Sequence, residues 1–328
     1  MIKKKSYSRI VGTGSVLPGT PVSNDDLALT LKQNGIETND SWIKERSGIT
    51  QRYFASDADT TSSLGLKAAK KALEDAGTSP NEIDLVIVAT TTPDYIFPSV
   101  ACKIQGELGI ERGAAFDVQA VCSGFVYALT IADLFIKSGQ NSCALVIGAE
   151  TLSDILDWSD RSTCVLFGDG AGAVVLKSSS SPGILTSSLH ADGKLCNILQ
   201  APARISRGKI VGKPYAIMDG KEVFRKAVDA LTLSAEEVLT KSDISKDEID
   251  WLIPHQANLR ILRAVAKRLG IPDTKLIETV CKHANTSAAS VPLAIDTARK
   301  DARIITGNLI LIQGVGGGLS WGSSLIIM

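Results

Sequence analysis

Histidine is scarce in this chain of 328 residues, at three, and aromatic residues make up 5%. Charge of either sign is in no excess, with 35 Lys+Arg against 35 Asp+Glu. That balance removes any global electrostatic reason to bind nucleic acid or an anionic bilayer, so a charged partner must be met by a local patch. No stretch approaches eighteen consecutive apolar residues, which argues against a membrane span. The basic start Met1-Ile2-Lys3-Lys4-Lys5 runs into Ser6-Tyr7-Ser8-Arg9 with no apolar core region and no small-residue cleavage site. The expectation is a cytoplasmic protein. Six cysteines (Cys102, Cys122, Cys143, Cys164, Cys196, Cys281) are scattered without a C-x-x-C pair, arguing against a disulfide framework and against structural zinc.

Linkers and low-complexity tracts are missing as well, although 328 residues exceed what one core usually holds. Self-similarity resolves the conflict. Residues 70–88 and 236–253 share one grammar, a helix end, a polar turn with Asn/Asp-Glu-Ile-Asp, then an apolar strand, at an offset of 166. Leu108-Gly109-Ile110 matches Leu269-Gly270-Ile271 at 161, and Ala144-Leu145-Val146-Ile147 matches Leu309-Ile310-Leu311-Ile312 at 165. Short continuous apolar strands are those buried on both faces. The fold class is therefore α/β, with layered, mostly parallel mixed sheets and a pseudo-twofold between halves.

The chemistry-bearing residues fall at three places. Residues 114–121 read as a strand running into Cys122-Ser123-Gly124, after which a helical apolar period continues to Lys137 and stops at Gly139. Cys122 thus sits where a strand turns into a helix, and the helix macrodipole is expected to lower its thiol pKa. His255 follows a strand over 249–253, in Pro254-His255-Gln256-Ala257-Asn258, at the sheet edge where open α/β folds bind ligands. Asn285 lies in His283-Ala284-Asn285-Thr286-Ser287-Ala288-Ala289-Ser290, after a strand expected over 277–280, with Thr286 or Ser287 as a helix cap. A cysteine, a histidine and an asparagine supply nucleophile, proton partner and polar orienter. Papain-like proteases share that order, but their Cys-Gly-Ser-Cys-Trp signature is missing.

Two glycine-rich segments accompany these. Gly168-Asp169-Gly170-Ala171-Gly172-Ala173 fits a dinucleotide fingerprint but leads into a strand rather than a helix, so that reading fails. Gly314-Val315-Gly316-Gly317-Gly318 lies between two apolar strands and lets backbone N–H groups approach a carbonyl oxygen. Arg260, Arg263 and Lys267, with Arg268 beside them, form a basic stripe on the helix after His255, fit for a solvated face or an acidic partner.

Asp117-Val118-Gln119-Ala120-Val121-Cys122-Ser123-Gly124-Phe125, Pro254-His255-Gln256-Ala257-Asn258, Asn285-Thr286-Ser287-Ala288-Ala289-Ser290 and Gly316-Gly317-Gly318-Leu319-Ser320-Trp321-Gly322 together resemble the β-ketoacyl-[acyl-carrier-protein] synthase III family. The likeness runs from about Arg9 to the C-terminus. It implies a thiolase-like fold, two duplicated halves (1–178 and 179–328) in five αβαβα layers, and a homodimer. It also implies the condensation of an acyl-CoA primer, acetyl-CoA by expectation, with malonyl-carrier protein to give 3-oxoacyl-carrier protein, CO2 and coenzyme A. That reaction initiates type II fatty acid synthesis. Acyl-CoA would be a substrate, with no separate cofactor and no metal.

By the same resemblance Cys122 is the acylated nucleophile, His255 and Asn285 serve decarboxylation, and the N–H groups of Cys122 and Gly317 form an oxyanion hole. Trp42, Arg46 and Arg161 would hold coenzyme A, Phe97 would reach the acyl pocket across the dimer, and Arg260, Arg263, Lys267 and Arg268 would dock the carrier protein. Two positions depart from the family pattern. Ala284 replaces a common Gly before the Asn, a strain of roughly 1–2 kcal/mol if φ there is positive, and Lys221 stands where relatives have Asn. Three rivals stay open: a paralogue using another acyl-CoA for a secondary metabolite, a cysteine thioester hydrolase, and a non-catalytic subunit, which the three reactive residues disfavour.

Overall fold

The computed structural model describes residues 6–328, so the basic start at residues 1–5 lies outside the described residues. β1 (Tyr7–Val16), β2 (Leu85–Ala89), β3 (Ala114–Val118), β4 (Cys143–Glu150) and β5 (Gly170–Ser179) form one sheet in the order β1-β5-β4-β2-β3. β6 (Ile184–Ala191), β7 (Trp251–Pro254), β8 (Leu309–Gly316) and β9 (Ser320–Ile327) form the other in the order β7-β8-β9-β6. Taken from its far edge, the second order is β6-β9-β8-β7, the same path as β1-β5-β4-β2. The duplication reaches the register. An offset of 166 carries Leu85 onto Trp251 and Ala144 onto Ile310, and both pairs are partners in parallel ladders. The 165 taken from the apolar runs is thus one residue short.

The helices in the layers are α1 (Asp40–Ser47), α2 (Thr61–Asp75), α3 (Val100–Glu107), α4 (Gly124–Ser138), α5 (Gly220–Ser242), α6 (Leu259–Leu269) and α7 (Ser290–Lys300). Alternation within each strand sorts its side chains between two cores. Val86 and Val88 face Leu64, Ala68 and Ile104 of α2 and α3, while Leu85, Ile87 and Ala89 face Phe125 and Leu129 of α4. In the second sheet Leu252, Leu311 and Leu325 face Leu231, Leu262 and Val265 of α5 and α6. Ile253, Ile310 and Ile312 face inward onto α4 and α7. The layers are therefore αβαβα, with α4 and α7 in the middle. Val121–Ser138 has the length and mean hydropathy (1.4) of a membrane span, but it is this central core helix and its preceding turn, packed between the sheets.

Three expectations are corrected here. The sheets are mixed, as expected, but parallel pairing is not in the majority: of the seven ladders in the two sheets, three are parallel and four antiparallel. Part of the cause is that β8 returns as β9 through a tight turn, and a tight turn permits only antiparallel pairing. The strand expected over 277–280 is instead an isolated bridge at Leu276 and a helical turn, Val280–His283. There the Gln256 side-chain oxygen takes the N–H groups of Thr279 and Val280 out of any ladder. The strands expected over 114–121 and 249–253 occupy Ala114–Val118 and Trp251–Pro254.

Candidate active site

After β3 the chain makes a helical turn, Val121–Ser123, before α4 opens at Gly124. Val121 has φ +48, an uncommon conformation for a β-branched residue, and a strained turn of this kind marks sites where a side chain is presented. Ser123 fixes the turn by donating to the Ala120 carbonyl at 2.7 Å and pairing with Ser320 Oγ at 2.8 Å. β8 from the other half passes directly beneath. A Cβ at Gly316 would lie 2.5 Å from the Cys122 nitrogen, so only glycine fits there.

Cys122 is 5% exposed. Burial pushes its thiol up to about 12, the Glu150 carboxylate adds to the rise, and a hydrogen bond with Ser287 and the Cys122 N–H oppose it. Burial of the sulfur therefore works against the lowering expected from the helix end. The resting sulfur is a thiol. Glu150 itself is fully buried and accepts six hydrogen bonds, from Thr90 Oγ1, the N–H and Oγ1 of Thr91 and Thr92, and Ser287 Oγ.

His255 stands just past β7, its N–H donating to the Gln313 carbonyl of β8 at 2.8 Å. It is 2% exposed, and burial lowers its pKa to about 3, so the imidazole is neutral. Nδ1 lies 2.7 Å from Ser290 Oγ. Asn285 is held by backbone bonds to Leu166 and Gly168, both 3.0 Å. Its Oδ1 accepts the Ser287 N–H at 2.9 Å, which leaves the amide nitrogen as the free end. Ala284 does adopt φ +59 with ψ −162, a region natural to glycine, yet the loop still brings Asn285 to the site. Neither Thr286 nor Ser287 acts as the expected cap: no side chain caps this turn or α7, and the Ser287 hydroxyl goes to Glu150.

Cys122, His255 and Asn285 line one cleft of about 270 Å³, with Trp42 and Arg46 of α1 at the same cavity. Arg161 stacks directly on Trp42, its guanidinium carbon 4.3 Å from the ring centroid, and Arg46 lies at 5.4 Å. A flat ring entering between Trp42 and Arg161 must first part them. Gly316 lines the cleft, whereas Gly317 lies in the turn that follows β8. Phe97 is 83% exposed and lies outside this cleft, next to the exposed Tyr95 and Ile96. The basic stripe is partly neutralised within the chain. Arg263 pairs with Glu278 at 3.1 Å and Arg268 with Asp229, while Arg260 lies over the Phe224 ring at 5.6 Å. Sequence reasoning missed Phe224 as a cleft wall, and missed Glu150 and Ser290 behind the residues that line the cleft. An apolar wall residue and a buried strand-end Glu carry no motif, so no local signal pointed to them.

The family described as 3-oxoacyl-[acyl-carrier-protein (ACP)] synthase III matches residues 116–193, and its C-terminal counterpart matches residues 239–328. Beta-ketoacyl-[acyl-carrier-protein] synthase III of Bordetella petrii is 58% identical over 323 residues, 98% of each chain. The chain belongs to the β-ketoacyl-[acyl-carrier-protein] synthase III family. It is an acyltransferase of the condensing type with the thiolase-like fold. The crystal structure of 3-oxoacyl-[acyl-carrier-protein] synthase III from Aquifex aeolicus superposes with TM-score 0.91 at 45% identity, covering 98% of this chain and 100% of that one. A family relative of another pathway, the priming β-ketosynthase of R1128 polyketide biosynthesis, also superposes at 0.91, with 35% identity and 100% and 98% coverage.

Proposed function

We propose that this synthase III joins an acyl-CoA primer, acetyl-CoA first among them, to malonyl-carrier protein through an acyl-Cys122 intermediate. The observation that carries the reading is the convergence of Cys122, His255 and Asn285, drawn from both halves, on one cleft. In the first half-reaction the sulfur loses its proton as it attacks the thioester carbonyl. The N–H groups of Cys122 and Gly317 receive the oxyanion, and coenzyme A leaves as the thiol. In the second, loss of CO2 from the malonyl group leaves an enolate whose oxygen takes hydrogen bonds from His255 Nε2 and the Asn285 amide. Each donor contributes about 3 kcal/mol to the transition state. The enolate carbon then attacks the acyl-Cys122 carbonyl, the carbon–sulfur bond breaks, Cys122 leaves as a thiolate that takes a proton from solvent, and 3-oxoacyl-carrier protein is released.

Trp42, Arg46 and Arg161 hold the coenzyme A, which is a substrate, and the reaction as written uses no cofactor or metal. The carrier protein docks on Arg260, Arg263, Lys267 and Arg268, of which Lys267 has no ion pair among the described residues. The exposed run Tyr95, Ile96 and Phe97 supports a homodimer in which Phe97 closes the partner's acyl pocket. Six free cysteines suit a reducing cytoplasm. Labelled acetyl-CoA, incubated with and without malonyl-carrier protein, tests the whole reading. A labelled 3-oxoacyl product requires both substrates; free acetate released at an equal rate without malonyl-carrier protein makes the chain a hydrolase instead. The likeness to the polyketide priming synthase supports a second reading, a different primer. A preference for longer or branched acyl-CoA over acetyl-CoA in the same assay selects it.

A further inference from the structure

The structure assigns to Ser290 the task of deciding which ring nitrogen of His255 carries the proton. A neutral imidazole has one N–H donor and one acceptor nitrogen, and a hydroxyl has a single proton to give. Ser290 Oγ lies 2.7 Å from His255 Nδ1 and already accepts the Gln256 N–H at 3.3 Å. Among the described residues its hydroxyl has no other acceptor, and Ser290 is buried. With the proton on Nδ1, Ser290 Oγ would accept twice and its own hydrogen would be stranded in the interior. Donation from Ser290 to Nδ1 satisfies every group and puts the imidazole proton on Nε2.

The duplication supplies a second, independent observation. At the offset of 166, Gly124 corresponds to Ser290 and Ala89 to His255. The first half keeps the same neighbours as a close apolar contact, since a Cβ on Gly124 would lie 3.1 Å from the Ala89 Cβ. One half thus has both positions apolar and the other has both polar. Ser290 does not line the cleft. It is a positioning residue that turns His255 into a hydrogen-bond donor, matching the Asn285 amide whose oxygen is occupied by the Ser287 backbone N–H. This rests on the proposed role of His255 toward the enolate oxygen.

With only three histidines, the ring nitrogens can be resolved by ¹⁵N NMR of histidine-labelled full-length enzyme, assigned with His190 and His283 variants. The expected wild-type spectrum has His255 neutral with Nε2 protonated. In Ser290→Ala the second tautomer gains population and the condensation kcat falls about tenfold, while acetyl transfer from acetyl-CoA to Cys122 stays within about twofold. Ser290→Thr, which keeps the hydroxyl, retains both the tautomer and the rate. A wild-type proton on Nδ1 overturns the assignment, as does a Ser290→Ala enzyme with unchanged tautomer and rate. If Ser290→Ala does not fold, the wild-type spectrum alone decides. Undiminished condensation in His255→Ala would instead remove the parent reading and leave the tautomer result standing.

Discussion

The two halves contain the same turn twice and use it differently. Val121 (φ +48) and Ser287 (φ +49) are 166 apart, each opens a short helical turn, and each turn feeds an inner helix. One residue further on, the first copy has Cys122 at the cleft and the second has Ala288, fully buried against the other half. A Cβ on Gly148 would lie 2.3 Å from the Ala288 carbonyl oxygen. The two copies share the strained backbone and differ in the side chain each places on it. The second copy offers Ser287 to Glu150 and Ser290 to His255.

The sharpest way to break that comparison is to move the thiol. Cys122→Ala should abolish the covalent acyl-enzyme by mass spectrometry and lower turnover by about 10⁴-fold or more. Adding Ala288→Cys on that background should restore nothing, because the second turn faces the packed interior. Acylation of the thiol introduced by Ala288→Cys would show that the turn alone makes the nucleophile. Next in size, His255→Ala and Asn285→Ala should each slow condensation by about 10²–10³-fold, with single-turnover loading of Cys122 within about threefold. Equal losses in both steps would end the division of labour between the halves.

Acid should weaken the second half specifically. Burial holds His255 near 3 and His283 near 4, against 6.5 when unfolded, so between those values the unfolded chain binds more protons. Their contribution to stability is complete above 6.5 and is lost as pH falls toward 4, about 2 kcal/mol per histidine between pH 7 and 5. Urea midpoints at the two pH values measure the loss, and His283→Gln should make it shallower; an identical slope in the variant would exclude His283. The smallest effect concerns Ala284. Replacing it with glycine relieves the positive φ and should stabilise the fold by about 1 kcal/mol in the same urea titrations. A loss of stability would mean that the methyl packing outweighs the strain.

Much of this was legible in the residues. The repeat, the turn at Cys122 and the helix that Gly270 ends with φ +70 follow from local pattern, which the sequence carries directly. The Cys122 thiol did not, because its pKa is set by burial under the other half and by Glu150, and desolvation leaves no mark on neighbours in sequence. The turn at 280–283 depends on a glutamine 23 residues away, and the neutralised arginines depend on Glu278 and Asp229 from separate elements. Ser287 looked like a cap because a short hydroxyl residue before a helix usually is one, and Ser290 carried no signal of its own. Only tertiary placement gave them other partners.

Gly316 has a consequence for how such enzymes can be recombined. Because this strand residue touches the backbone of Cys122, a chimera that takes residues 1–178 from one relative and the remainder from another must join across that contact with no room for a side chain. Breeding new primer preferences by swapping halves is therefore constrained at one methyl-sized gap, and a library that keeps glycine there should yield far more active offspring than one that lets it vary.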